Sequence, residues 1–151
     1  MSQEDVGIDL ETSVGYLLKE AASALRFAME AVLRPLGMSI THYSCLELLA
    51  QRPGLSSSEL ARGAFVTRQS MNVLLQALER DGFVSRPQHA PEGRVLPTEL
   101  TELGRSRLAV ASRAVRGVED LMRSGLAPAE RDQLGVLLAK CVTSLRNGQS
   151  P

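Results

Sequence analysis

Residues Leu55–Arg86 read LSSSELARGAFVTRQSMNVLLQALERDGFVSR, and the fold turns on how this stretch divides. Ser56 and Glu59 stand in the S-x-x-E spacing of a capping box, where hydroxyl and carboxylate each accept from an orphan amide at a helix start. Leu55 and Leu60 fall at the flanking positions of a hydrophobic staple, and the helix they open ends near Gly63. After a three-residue connection Thr67 caps a second helix, with Val66 and Met71 as a second staple. Met71, Leu74, Leu75 and Leu78 then recur at i, i+3, i+4 and i+7, one apolar face of an amphipathic helix. The other face carries Arg68, Gln69, Asn72 and Gln76, which hydrogen-bond rather than pack. A short helix, a turn and a second helix with polar residues near its start make a helix-turn-helix.

Asp81-Gly82 closes the second helix, and the residues beyond it predict a hairpin. Phe83–Pro87 reads as one strand and Val95–Leu100 as its return, although Pro97 limits the ladder. The polar stretch Gln88–Arg94 joins them, so the whole is a winged helix-turn-helix. Candidate DNA contacts follow from position. Arg68, Gln69, Ser70 and Asn72 occupy the first turns of the second helix, where side chains reach base edges and the helix N-terminus favours a phosphate. Gln69 and Asn72 suit adenine, and Arg68 suits guanine or phosphate. Ser56 and Thr67 are caps first, worth ~1 kcal/mol each, and candidate phosphate contacts second.

Flanking this head, Val14, Leu17, Leu18, Ala21, Leu25, Ala28 and Val32 mark a long helix ending near Arg34, before Pro35 and Gly37. Ser39 caps the next, which carries Tyr43, Leu46, Leu49 and Ala50. Thr101 caps a further helix with Leu103, Leu108, Ala111, Val115, Val118 and Met122 as its stripe, broken at Ser124-Gly125. Pro128 opens the last helix, whose stripe is Leu134, Leu137, Leu138, Cys141 and Leu145. The expected class is mainly α with a small β-hairpin wing, one domain over residues 1–151. Its DNA-binding lobe covers about 39–100, and terminal helices over about 9–34 and 101–147 form a dimerisation region. Stripes this long with no partner inside one small domain predict an intertwined homodimer. A two-fold dimer sets its recognition helices about one DNA turn apart, so the expected target is a pseudo-palindrome.

The formal net charge is zero, which counts against a nucleic-acid binder, yet its distribution is uneven. Between Arg52 and Arg94 six arginines (52, 62, 68, 80, 86, 94) face Glu59, Glu79, Asp81 and Glu92. Neither a signal peptide nor an apolar run of membrane-spanning length is visible, so a cytoplasmic protein is expected. Cys45 and Cys141 lack metal spacing, and each lies in or beside an apolar stripe, which predicts buried free thiols. His42 and His89 have no acidic or thiol cluster at ligand spacing, so no metal or other cofactor is expected. No nucleophile triad, paired carboxylates or phosphate loop appears, which argues against an enzyme.

Leu36-Gly37-Met38-Ser39 stand with Tyr43 and Leu46, then Pro53-Gly54-Leu55-Ser56 with Glu59-Leu60-Ala61. Leu78-Glu79 with Gly82-Phe83-Val84 and Arg86 follow, and then Leu100-Thr101 with Gly104. In this order and at these spacings the chain resembles the MarR family of winged-helix transcription factors, over roughly Val14–Leu145. It implies a dimeric regulator of double-stranded DNA, usually a repressor, released by a small phenolic or lipophilic effector or an oxidant. Where the family's wing carries Asp-Arg-Arg this chain has Glu92, Gly93 and Arg94. Arg94 is then the candidate for the minor groove, and Glu92 pairs with Arg86 as a brace for the wing. Tyr16, His42 and Tyr43 are candidates for an effector pocket near the seam between the two regions. The cysteine that oxidant-sensing members carry near the start of the first helix is absent here. A winged-helix module that binds another protein and no DNA is the alternative, favoured by the missing wing arginine and the zero net charge.

Overall fold

The computed structural model describes residues 7–86 and 97–149. Helix α1 spans Val14–Leu33, and a single 3-10 turn over Arg34–Leu36 leads into α2, Ile40–Gln51. Next come α3, Ser57–Gly63, and α4, Arg68–Arg80. Strands β1, Val84–Ser85, and β2, Glu99–Leu100, precede α5, Glu102–Arg123, and α6, Pro128–Asn147. Two compact units divide the chain, Met1–Arg116 and Gly117–Pro151, with the boundary inside α5.

Helix starts follow the hydroxyl residues. Ser13 Oγ accepts from the Tyr16 amide and Ser39 Oγ from that of His42. Ser56 and Thr67 do the same for Glu59 and Ser70. His42 completes a capping box, its Nδ1 accepting from the Ser39 amide at 3.2 Å. Some helix ends use a left-handed residue. At the end of α4, Gly82 has φ 82°, with Gly82 N donating to Glu79 O and Phe83 N to Leu78 O. That pair of bonds is a Schellman motif.

In the first unit the core gathers around Leu33, Leu46, Leu60, Met71 and Leu75, all fully buried. Leu108, Ala111 and Val115 of α5 join it, as do Val84 and Leu100 of the hairpin. The hairpin pairs antiparallel in the register Val84↔Leu100 and Ser85↔Glu99. Strands were expected over Phe83–Pro87 and Val95–Leu100; within the described residues only these two pairs ladder, Pro97 and Thr98 lying before the return strand. Thr101 anchors the junction: its amide donates to Phe83 O at 3.1 Å and its hydroxyl donates to Gly82 O. Thr101 Oγ1 also accepts from Gly104 N at 3.0 Å and so caps α5. Gly104 is dictated by crowding, because a Cβ there would sit 2.1 Å from Phe83 O.

The α5 stripe is narrower than the sequence predicts. Leu108, Ala111, Val115 and Val118 are buried, whereas Leu103 and Met122 are exposed. In α2, Ala50 is exposed and Cys45 takes the inner position beside Leu46 and Leu49. The second unit begins α6 with Pro128, and Glu130 accepts from the Ala127 amide at 2.8 Å. No residue of α6 is buried, and Leu134, Val136, Leu137, Leu138, Val142 and Leu145 all face out of the chain. Cys141, expected to be buried, is exposed with them. Helix α1 is similar: of its residues only Leu33 is buried, and Val14, Leu17, Leu18 and Phe27 are exposed. Among the described residues no helix is long and apolar enough to cross a membrane.

Candidate nucleic-acid interface

Helices α3 and α4 form the helix-turn-helix, and the turn between them has an unusual residue at its tightest point. Phe65 adopts φ 59° and is 85% exposed. Its amide donates to Arg62 O at 3.3 Å and that of Val66 to Ala61 O at 3.0 Å. These are again the two bonds of a Schellman motif, with phenylalanine where glycine normally stands. The motif aims the chain into Thr67 and fixes where α4 begins.

Helix α4 is clamped by Met71, Leu74, Leu75 and Leu78, all buried. At about 3.6 residues per turn the face diametrically opposite is the row Gln69, Val73, Gln76 and Arg80, each exposed. Arg68 and Ser70 are also exposed and lie on the flanks, while Asn72 is half-buried at the margin. At the helix start Thr67 Oγ1 accepts from the Ser70 amide at 3.0 Å, and the Thr67 hydroxyl donates to Ser70 Oγ at 2.9 Å. The amides of Arg68 and Gln69 precede the first intrahelical bond, Met71 N to Thr67 O, and stay available to an anion. The structure therefore brings Thr67, Arg68, Gln69 and Ser70 together on one exposed end.

Ser56 is more committed. Its hydroxyl donates to Glu59 Oε1 at 2.9 Å while accepting from the Glu59 amide at 3.2 Å. The hydroxyl bond, joined by the Ser56 amide donating to the same Oε1 at 3.2 Å, holds the Glu59 carboxyl below its ordinary range. Arg86 follows β1 half-buried, its Nε shielded from solvent without a hydrogen-bond partner among the described residues. Its expected partner Glu92, together with Arg94 and His89, lies outside the described residues.

The three effector-pocket candidates separate into two groups. Tyr16 lines an open groove along α1 with Lys19, Glu20, Ser23, Ala24 and Phe27, and neither His42 nor Tyr43 borders it. His42 is spent on the α2 cap, and burial pulls its pKa down despite the charge of Asp81. Tyr43 faces a link that sequence reading missed. Ser112 of α5 donates to Glu47 Oε2 at 2.7 Å, and Gln51 donates to Glu47 Oε1 at 2.9 Å. Burial alone would raise the Glu47 pKa, but bonds from Gln51, Ser112 and Tyr43 and the charge of Arg116 bring it below the ordinary value. Burial pushes the Tyr43 phenol up. Cys45 is fully buried, and burial pushes its thiol up to about 12. Among the described residues no cluster of three or more His, Cys, Asp or Glu could hold a metal ion.

A model of the MarR family matches residues 36–95, which include the whole helix-turn-helix. The HTH-type transcriptional repressor Rv2887 of Mycobacterium tuberculosis (strain H37Rv) is 41% identical over 128 residues, spanning 84% of this chain and 92% of the relative. The chain belongs to the MarR family. Among solved structures, the Rv2887 complex with DNA is 38% identical with a TM-score of 0.73, covering 86% of this chain and 98% of that one. The Rv2887 complex with salicylic acid is 39% identical with a TM-score of 0.72, covering 86% and 96%. As a MarR protein the chain is a winged helix-turn-helix whose reading head is α3, α4 and the β1–β2 hairpin.

Proposed function

We propose that this MarR protein is a homodimeric DNA-binding transcriptional regulator, a repressor of a pseudo-palindromic operator, and not an enzyme. The observation that carries the proposal is the exposed polar end of α4. It is held by a buried clamp and two capped helices, in a chain 41% identical to a transcriptional repressor. Each α4 enters a major groove, with Gln69 on a base edge and Arg68, Thr67 and Ser70 toward the sugar-phosphate backbone. Asn72 reaches the groove from the margin, Ser56 through its hydroxyl takes a secondary place against a phosphate, and Arg94 contacts the minor groove beside a wing braced by Arg86 and Glu92. The unpartnered apolar faces of α1 and α6 are covered by a second copy, which spaces the two heads.

A small aromatic carboxylate or phenol acts as effector. The support is that Rv2887 has been crystallised with salicylic acid and also with DNA. Of the three candidates Tyr43 is best placed to sense it, because the link from Glu47 to Ser112 ties α2 to α5 beside that ring. An effector that prefers the DNA-incompatible head spacing lowers affinity by its differential binding to the two states. Selection of bound duplexes from a random pool tests the reading. A two-fold repeat with half-sites about one turn apart is expected, and salicylate should weaken its gel shift. Failure to enrich any sequence would remove the regulator from the account.

A further inference from the structure

The outward row of α4 is Gln69, Val73, Gln76 and Arg80, and Val73 is its only apolar member. Val73 is 64% exposed, one turn beyond Gln69 and one turn before Gln76. It contributes nothing to the core, which takes Met71, Leu74, Leu75 and Leu78 from this helix. Nor does it favour the helix, since a β-branched side chain loses rotamer freedom there and alanine or glutamine would serve better. A lone exposed hydrophobe elsewhere would need no account. Here it stands at the middle of the row that the helix-turn-helix presents.

The major groove shows hydrogen-bonding groups on every base pair and one apolar feature, the 5-methyl group of thymine. On the base edges a short branched side chain without donor or acceptor gains most from that methyl. Opposite a cytosine N4 amine it would leave a polar group desolvated and unmatched. Its length also suits the place, for a valine lets the helix backbone come closer to the base edges than glutamine does. Gln69 lies on the same helix face at i−4, so the two side chains address neighbouring steps of one half-site.

We infer that Val73 reads the 5-methyl group of a thymine in each half-site, next to the base contacted by Gln69. This rests on the DNA-binding reading proposed above. The probe is the best duplex recovered by selection from a synthetic pool, remade with deoxyuridine replacing each thymidine in turn. That exchange removes one methyl and leaves base pairing intact, and the synthetic DNA carries no 5-methylcytosine as another source of the group. With the unaltered protein, one uridine position per half-site should weaken binding about fourfold, and about fifteenfold when both half-sites are changed, from the transfer value of one methylene-sized group. Val73→Ala, present in both protomers, should bind the thymidine duplex more weakly by about the two-site factor and lose most of the sensitivity to uridine at that position. The exposed site and the better helix former keep Val73→Ala folded, which a thermal melt verifies. Uniform tolerance of uridine by the unaltered protein, or unchanged sensitivity in Val73→Ala, overturns the inference while DNA binding stands. If the pool yields no bound duplex, the regulator reading falls first and this one with it.

Discussion

At the residue scale, Phe65 and Gly104 show backbone demands that side-chain chemistry hides. Two Schellman motifs close α3 and α4, one with Phe65 and the other with Gly82 at the left-handed position. A left-handed non-glycine residue costs about 1–2 kcal/mol, and glycine returns about 0.5–1 kcal/mol of that through its freer unfolded chain. Because the Phe65 ring is 85% exposed, little burial is lost. Phe65→Gly should therefore stabilise the fold by about 0.5–1 kcal/mol, seen as a higher urea midpoint with unchanged slope. Gly104→Ala should do the reverse. Its new methyl would press on the Phe83 carbonyl, a backbone atom that Thr101 and β1 hold in place, and a loss of about 3 kcal/mol or more is expected. The pairing of Gly82-Phe83 with Leu100-Thr101 and Gly104 is legible as a family pattern, yet its cause is contact between residues some twenty positions apart. The αL turn at Phe65 was not legible, because a phenylalanine there carries none of the usual glycine signal.

At the element scale, helices announced themselves through caps and period. Ser39, Ser56 and Thr67 mark starts that the structure reproduces, and the Met71–Leu78 stripe points inward as its spacing demands. The exposed row through Val73 follows from the same spacing turned by half a circle, but a search for polar residues passes over it. What α2 and α5 share was illegible: Glu47 and Ser112 are 65 positions apart, and neither belongs to a motif. That link carries a pH dependence. The folded-state pKa of Glu47 lies below its ordinary value, so its contribution to stability is present at neutral pH and lost as pH falls through the folded value. Glu47→Gln should cost about 1 kcal/mol at neutral pH, less than the about 1.5–3 kcal/mol of bonds to a fully buried charged group because the carboxylate is partly solvated. The gap to the unaltered protein should narrow when urea midpoints are compared at acid pH below the carboxylate range. A gap independent of pH would mean that packing, and not the ionised carboxylate, ties the two helices.

For the whole molecule, the terminal helices demand a cover: only Leu33 of α1 and no residue of α6 is buried. Six large hydrophobic side chains of α6 face outward and none is buried. Burying even half of such a stripe is worth several kcal/mol at roughly 25 cal/mol per Å2 of apolar surface, a gain that an uncovered α6 forgoes in water. Apolar spacing reveals the stripe and predicts a second copy against it, but not which faces meet, since periodicity describes one helix at a time. Cys141 offers a direct probe, standing exposed on α6 in the single chain, whereas Cys45 is sealed in the core with its thiol pushed up to about 12. If a second copy covers α6, iodoacetamide should modify Cys141 slowly at concentrations where sedimentation reports a dimer. Dilution below the dissociation constant should speed it, as should Leu137→Glu, which puts a charge into the seam. Cys45 should resist under all these conditions, because almost none of a thiol with so high a pKa is thiolate at neutral pH. The same Leu137→Glu change should weaken operator binding far more than its distance from α4 suggests, since a lone head keeps half the phosphate contacts. The slope of log K against log salt should then fall by about half. Rapid, concentration-independent labelling of Cys141 in a protein that sediments as a monomer would leave the paired heads, and the two-fold operator with them, without support.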